Sequence, residues 1–183
     1  MKIVKYPHPS LRTHARPVTA IDKDVQLAAG HMLELMYKQE GLGLAAPQVA
    51  LDFQLLVMNF EGDAEKTDLE YVAINPVIVE SKGVVNDREG CLSFPDLYQN
   101  VRRAKTVKVQ AYNLKGELYE MTCSDLPARV WQHEIDHLNG VLFIDKMGPL
   151  GRLGSKKDIE RFVADFEHAK KKGEYPKDLG AKM

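Results

Sequence analysis

Apolar positions along the chain recur with two different periods, and each change of period marks a new element. Helical steps of three and four residues join Val25, Ala28, Ala29, Met32 and Met36 into one stripe, opened by Asp22 or Asp24 and ending near Glu40 and Gly41. His31 sits at the edge of that stripe and reads as surface or packing. Residues 53 to 60 and 70 to 80 are rich in Val, Ile and Leu with partial alternation, so they are strands, and the acidic stretch 61 to 68 between them is a surface loop. Residues 106 to 113 alternate cleanly, and the turn Asn113-Leu114-Lys115-Gly116 returns 117 to 123 beside them as a hairpin. Ahead of all this, Pro7, Pro9 and Pro17 forbid a long helix or a central strand, which predicts an extended arm over residues 3 to 21.

The helical period comes back after the hairpin. Leu126, Val130, His133 and His137 fall on one stripe, and Trp131, Ile135 and Leu138 on the opposite one. A helix apolar on two sides is buried. Ser124 or Asp125 suits its N-cap, Pro127 its first turn, and Gly140 a left-handed C-cap. A last helix follows from Ile159, Phe162, Val163 and Phe166. Ser155 and Asp158 have the spacing of a capping box before it, and Gly173 closes it. The fold class this predicts is α+β, with antiparallel sheets around a central buried helix, an N-terminal amphipathic helix and a C-terminal helix. One domain spans 1–183: a catalytic core over 1–150, the C-terminal helix over 155–173, and a polar, frayed tail over 174–183.

Composition narrows function. A formal net charge of -1 over 183 residues gives no general attraction to nucleic acid or to an anionic membrane surface, and no apolar run is long enough to span a bilayer. The first residues lack signal- or transit-peptide character, so the expected location is the cytoplasm, and two cysteines fit a reducing compartment.

The chemistry gathers on the central helix. His133 and His137 lie one turn apart with Glu134 beside them, the His-Glu-x-x-His pattern in which two imidazoles grip one metal ion next to a carboxylate base. The competing reading is a pair of hydrogen-bonded core histidines. Hydrolytic chemistry needs a third protein ligand and an open position. Three candidates exist: Cys91, next to Gly90 in a segment that interrupts the strand pattern; Cys123, which reads as a buried hydrophobe; and Glu160 on the last helix, the choice a small zincin-type metallopeptidase would make. A purely structural metal site is a third reading, against which Glu134 stands, since such a site has no use for a base.

Three stretches together carry a resemblance. Gly41-Leu42-Gly43-Leu44-Ala45-Ala46-Pro47-Gln48, Glu89-Gly90-Cys91-Leu92-Ser93 and Gln132-His133-Glu134-Ile135-Asp136-His137-Leu138-Asn139-Gly140 resemble, in order, the signature motifs of peptide deformylases. On its own, the first stretch is open to two readings, a tight turn with packing alanines or a substrate-facing loop. Cys91-Leu92-Ser93-Phe94-Pro95 and Leu126-Pro127-Ala128-Arg129 look most like the plastid-type subgroup. With no transit peptide, that points to a bacterial or similar source.

The resemblance implies a hydrolase that removes the formyl group from N-formylmethionyl peptides and releases formate. It implies Cys91, His133 and His137 as metal ligands, Glu134 as general acid and base, and the Gln48 amide and Leu92 backbone N–H as an oxyanion hole. Gly43 would present backbone groups to the peptide in a centre crowded by Gly43 and Leu44, and the methionine slot would be walled by Leu42, Val130 and Trp131. Tyr98 stands where many bacterial relatives have arginine and Arg129 where an aliphatic residue is common, so substrate contacts there differ. Asp136 would pair with Arg102 or Arg103. The implied metal is Fe²⁺, with Zn²⁺, Ni²⁺ or Co²⁺ as substitutes. The expected form is a monomer. Lys156, Lys157, Arg161, Lys170, Lys171 and Lys172 make the last helix basic, either as a solvated face or as a ribosome-docking surface.

Overall fold

The computed structural model describes residues 1–174. The last expected segment, the frayed tail, lies outside the described residues beyond 174. Helices and antiparallel strands are mixed. After the N-terminal arm come helix α1 (Lys23–Lys38) and strands β1 (Gly43–Ala45), β2 (Leu55–Met58), β3 (Tyr71–Lys82), β4 (Val85–Cys91), β5 (Phe94–Arg103), β6 (Thr106–Tyr112) and β7 (Leu118–Ser124). Helices α2 (Asp125–Leu138), α3 (Pro149–Gly154) and α4 (Lys156–Lys172) complete the chain. One sheet has the order β1-β2-β3-β6-β7, and β4 and β5 form a separate two-stranded sheet.

The larger sheet is sandwiched between two helices, and β2 shows how. Its four residues are all buried. Leu55 and Val57 pack with Val25, Ala29, Met32 and Met36 of α1, whereas Leu56 and Met58 pack with Trp131, Ile135 and Leu138 of α2. A strand covered on both faces reads as a continuous apolar run, which explains its incomplete alternation in sequence. A third cluster, with Phe94, Leu97 and Val101 of β5 against Phe143, Met147 and Phe162, seats the smaller sheet on α4.

The N-terminal arm straps these layers together. The Val4 amide donates to the Gln48 carbonyl at 2.8 Å, Tyr6 to Ser93 at 3.0 Å and Ala15 to Leu138 at 2.8 Å, and Gln54 donates back to Arg16 at 2.8 Å. Its passage over the end of α2 makes Gly140 obligatory: φ is +68° there, and a Cβ would stand 2.7 Å from the Arg12 carbonyl oxygen.

Two local expectations are corrected. Ser155 makes no side-chain cap to α4. It continues from α3 with helical dihedrals, its amide bonded to the Gly151 carbonyl at 2.9 Å, so its hydroxyl is not placed to receive the next amides as a cap must. The segment around Cys91, read as an interruption of the strand pattern, belongs to the β4–β5 hairpin over residues 85 to 103, with a register shift between Gly90 and Cys91.

Candidate metal centre and peptide cavity

Helix α2 brings His133 and His137 one turn apart, both buried, with ring centroids 4.8 Å apart and planes at 82°. Their Nε2 atoms stand 3.2 Å from one another, and the Cys91 sulfur lies 3.3 Å from His137 Nε2. Cys91 reaches them because β4 ends at the bulge after Gly90, turning a half-buried sulfur toward the helix. The three donor atoms lie within 4.8 Å of one another. Three lone-pair donors packed this closely, two of them buried and one half-buried, repel unless a cation or proton lies among them. A thiolate and two imidazoles are a donor set that suits a borderline-soft divalent metal, so these residues fit the ion the motif implies.

Glu89 was missed from the sequence and organises the site. Its Oε1 lies 2.7 Å from His133 Nδ1 and 2.5 Å from Arg103 Nη2, and its Oε2 lies 2.7 Å from Arg129 Nη1. Arg103 continues the network to Asp136, which also holds Lys146 at 3.0 Å. A carboxylate on the outer nitrogen of a ligating histidine fixes the tautomer and aims the inner nitrogen at the metal. The signal was present in the sequence. Glu89 lies two residues before Cys91, and alternate strand residues share a face.

Charges follow from these contacts. Burial alone would raise the Glu89 carboxyl, but His133 and Arg103 outweigh it and hold the group well below the usual range. Burial opposes a charged ring at both histidines. At His133, hydrogen bonds to Cys91 and Glu89 win and raise it, while His137 is driven down by burial and by its charged neighbour. Glu134 is different: burial pushes its carboxyl up to about 7, and its Oε2 has no hydrogen-bond partner.

A cavity of about 420 Å³ opens on this centre, with Leu42, Gly43, Gln48, Leu92, Tyr98, Leu126, Arg129, Val130, His133 and Glu134 among its walls. Gly43 lies in β1, a three-residue strand where the sequence left turn and loop open, and a Cβ there would stand 2.6 Å from Glu134 Oε1. Gln48 is oriented from behind. Its Oε1 accepts from the Ala45 amide at 2.8 Å, which leaves Nε2 toward the Cys91 sulfur at 3.6 Å. The Arg129 guanidinium faces Glu89 and the Val101 carbonyl, so it closes the wall while its charge is already paired.

Three sequence-based assignments move away from the cavity. Leu44 is fully buried in the core under α1, because it follows Gly43 in a strand and points to the other face. Trp131 belongs to the core between α2 and the sheet, since two residues before His133 is about 200° around the helix. Glu160 lies on α4 with an exposed carboxylate 3.9 Å from Lys156, outside the ligand cluster, so the zincin arrangement is not formed.

Comparison with known proteins agrees with this geometry. Residues 1–153 match the family model described as polypeptide deformylase. The chain is 39% identical over 167 residues to a peptide deformylase of Rhodopirellula baltica, covering 91% of this chain and 83% of that one. It is 45% identical over 150 residues to one of Acidobacterium capsulatum, covering 82% and 88%. The crystal structure of Arabidopsis thaliana peptide deformylase 1B in complex with an inhibitor superposes with a TM-score of 0.87 at 38% identity, covering 98% of both chains. With its motifs on one helix, one hairpin and one short strand around a shared cavity, the chain belongs to the peptide deformylase family and is an enzyme of it.

Proposed function

We propose that Cys91, His133 and His137 hold one divalent ion per chain and that Glu134 moves the proton in the reaction of this family, the metal-dependent removal of the N-formyl group from the initiator methionine of nascent polypeptides. The observation that carries this reading is the buried, unpartnered carboxyl of Glu134 on the cavity wall beside three convergent donors. When bound, the ion supplies Lewis acidity, which polarises the formyl carbonyl and makes water a competent nucleophile near neutral pH. Glu134 takes the proton released from that water and delivers it to the departing amine, for which a value near 7 is well matched. The Gln48 side-chain amide and the Leu92 backbone N–H stabilise the oxygen that gains charge. Gly43 admits the peptide backbone close to Glu134 because it has no side chain, and Leu42, Leu126 and Val130 receive the methionine.

Fe²⁺ is the ion we assign in the cell, with Zn²⁺, Ni²⁺ or Co²⁺ able to occupy the same donors. Oxidation of the Cys91 sulfur would then inactivate the enzyme, and a reducing cytoplasm is the matching location. No helix among the described residues is long and apolar enough to cross a membrane. A monomer that meets the ribosome through the basic residues of α4 completes the proposal, supported by the exposure of Lys156, Lys157, Lys170, Lys171 and Lys172.

The test is formate release from formyl-Met-Ala-Ser. Glu134→Ala should lower kcat by about a hundredfold to ten-thousandfold while the ion stays bound. Equal activity in both proteins, or none in either, contradicts the role given to Glu134.

A further inference from the structure

Three consecutive residues of the N-terminal arm grip the two segments that lean on the Cys91 sulfur. The Val4 amide donates to the Gln48 carbonyl at 2.8 Å, and the Tyr6 amide donates to the Ser93 carbonyl at 3.0 Å. Between them, Lys5 Nζ donates to the Leu92 carbonyl at 2.7 Å. Both gripped segments reach the sulfur with a donor. Gln48 Nε2 lies 3.6 Å from Cys91 Sγ, and the Ser93 amide donates to the same atom at 3.4 Å.

The Leu92 carbonyl and the Ser93 amide are the two ends of one peptide group. Lys5 therefore holds the oxygen of the unit whose N–H meets the sulfur. A hydrogen bond from an ammonium is charge-assisted, and hydrogen bonds in series polarise one another. A positive charge at the carbonyl makes the N–H at the other end a stronger donor, and electron density leaves the sulfur. The charge also acts through space. Burial lowers the Lys5 ammonium from its ordinary value, and the charge of Cys91 works against that shift. Lys5 is an exposed residue, free to extend into water, yet its Nζ turns to the wall of the peptide cavity. The arm does not need that contact to stay in place, since the Val4, Tyr6 and Ala15 amides already tie it down.

We propose that Lys5 is a positioning residue for the metal centre: through the Leu92–Ser93 peptide it withdraws electron density from the Cys91 sulfur and so keeps the bound ion a stronger Lewis acid toward the formyl carbonyl. The proposal rests on the reading of Cys91, His133 and His137 as ligands. Groups that hold a ligand from behind set its donor strength, and hydrogen bonds to a ligating sulfur do so directly. By fixing the Leu92 carbonyl, Lys5 also steadies the residue whose own amide faces the reacting oxygen.

The experiment reads the sulfur-to-metal charge-transfer band of the Co²⁺-loaded protein in wild type, Lys5→Met and Lys5→Arg. A more electron-rich sulfur gives up an electron at lower energy. The band should therefore move to longer wavelength in Lys5→Met and return toward its wild-type position in Lys5→Arg, which keeps a charged donor. In Lys5→Met, kcat for formyl-Met-Ala-Ser should fall about tenfold with KM unchanged. Co²⁺ affinity should not fall, because a sulfur that regains density holds the ion at least as well, whereas loss of a merely structural contact would weaken it. A band that stays in place in Lys5→Met overturns the proposal, as does one that moves equally in Lys5→Arg. A lowered Co²⁺ affinity in Lys5→Met overturns it too, and so does a raised KM with kcat unchanged, the mark of a direct substrate contact. Absence of the band from the wild type removes the reading of Cys91 as a ligand itself, a result distinct from a band that is present and does not move.

Discussion

The two hairpins of the molecule are built on opposite principles. In β6–β7, Val107, Val109 and Ala111 turn inward to the core, while Lys108 faces outward and meets Glu120 across the pair at 2.7 Å. In β4–β5, the buried positions include Glu89 and Arg103, and the register breaks where Cys91 turns toward α2. The first hairpin is held by apolar burial, whereas in the second only β5 contributes an apolar face and β4 is held by paired charges around a donor cluster. A scaffold strand can be fixed by hydrophobic period alone. A strand that must present a carboxylate and a sulfur to a buried helix gives up that period, and ion pairs hold it instead.

The sharpest way to break this comparison is to remove one carboxylate from each hairpin. Glu89→Ala leaves Arg129 buried without a carboxylate and Arg103 with Asp136 alone, and it frees the outer nitrogen of His133. Denaturant unfolding should show a loss of about 3–5 kcal/mol, and metal affinity should fall by about ten- to a hundredfold. Glu120→Ala on the solvent side of β7 should leave the unfolding midpoint almost unchanged. Similar losses for the two variants would erase the distinction.

Acid should expose the same contrast. The folded Glu89 carboxyl is held below its ordinary value, so the unfolded chain binds the extra proton as pH drops. Its contribution is fully present above the ordinary glutamate range, about 4.3, and is lost progressively as pH falls toward the folded value. The stability difference between wild type and Glu89→Ala should therefore shrink between about pH 5 and pH 2. A difference that stays constant over that range contradicts the charge network.

Next in size are two glycines beside the site. Gly43→Ala places a methyl 2.6 Å from Glu134 Oε1, against a side chain packed on a buried helix. It should lower kcat by about a hundredfold, because displacement of a catalytic group by even about 1 Å has that effect. Gly90→Ala places a methyl 2.4 Å from the Tyr98 ring, but that ring is 52% exposed and can swing outward. Its loss should stay below about tenfold. The smallest effect belongs to Cys123, whose thiol is pushed up to about 11 by burial. At pH 8 it should alkylate far more slowly than a free cysteine with its ordinary value of about 8.5, and Cys123→Ser should leave activity unchanged.

The same contrast decides what could be read from the sequence. Both long terminal helices, the helix of His133 and His137, and the β6–β7 hairpin follow from apolar period and turn residues. Cys91 was one candidate of three until the resemblance singled it out. The β4–β5 hairpin did not show, because Asn86, Asp87, Arg88 and Glu89 look like a polar connector when their partners, Arg103 and Arg129, are distant in sequence. The resemblance places Leu44 and Trp131 at the site, although strand alternation and helical rotation turn both of them into the core.

The measurement that tests the central claim most directly is X-ray absorption at the metal edge of the protein purified without oxygen. One sulfur and two imidazole nitrogens should surround the ion, and the sulfur should vanish in Cys91→Ser while persisting in Cys123→Ser. An ion with no sulfur neighbour in the wild type, or a sulfur that survives Cys91→Ser, contradicts the account.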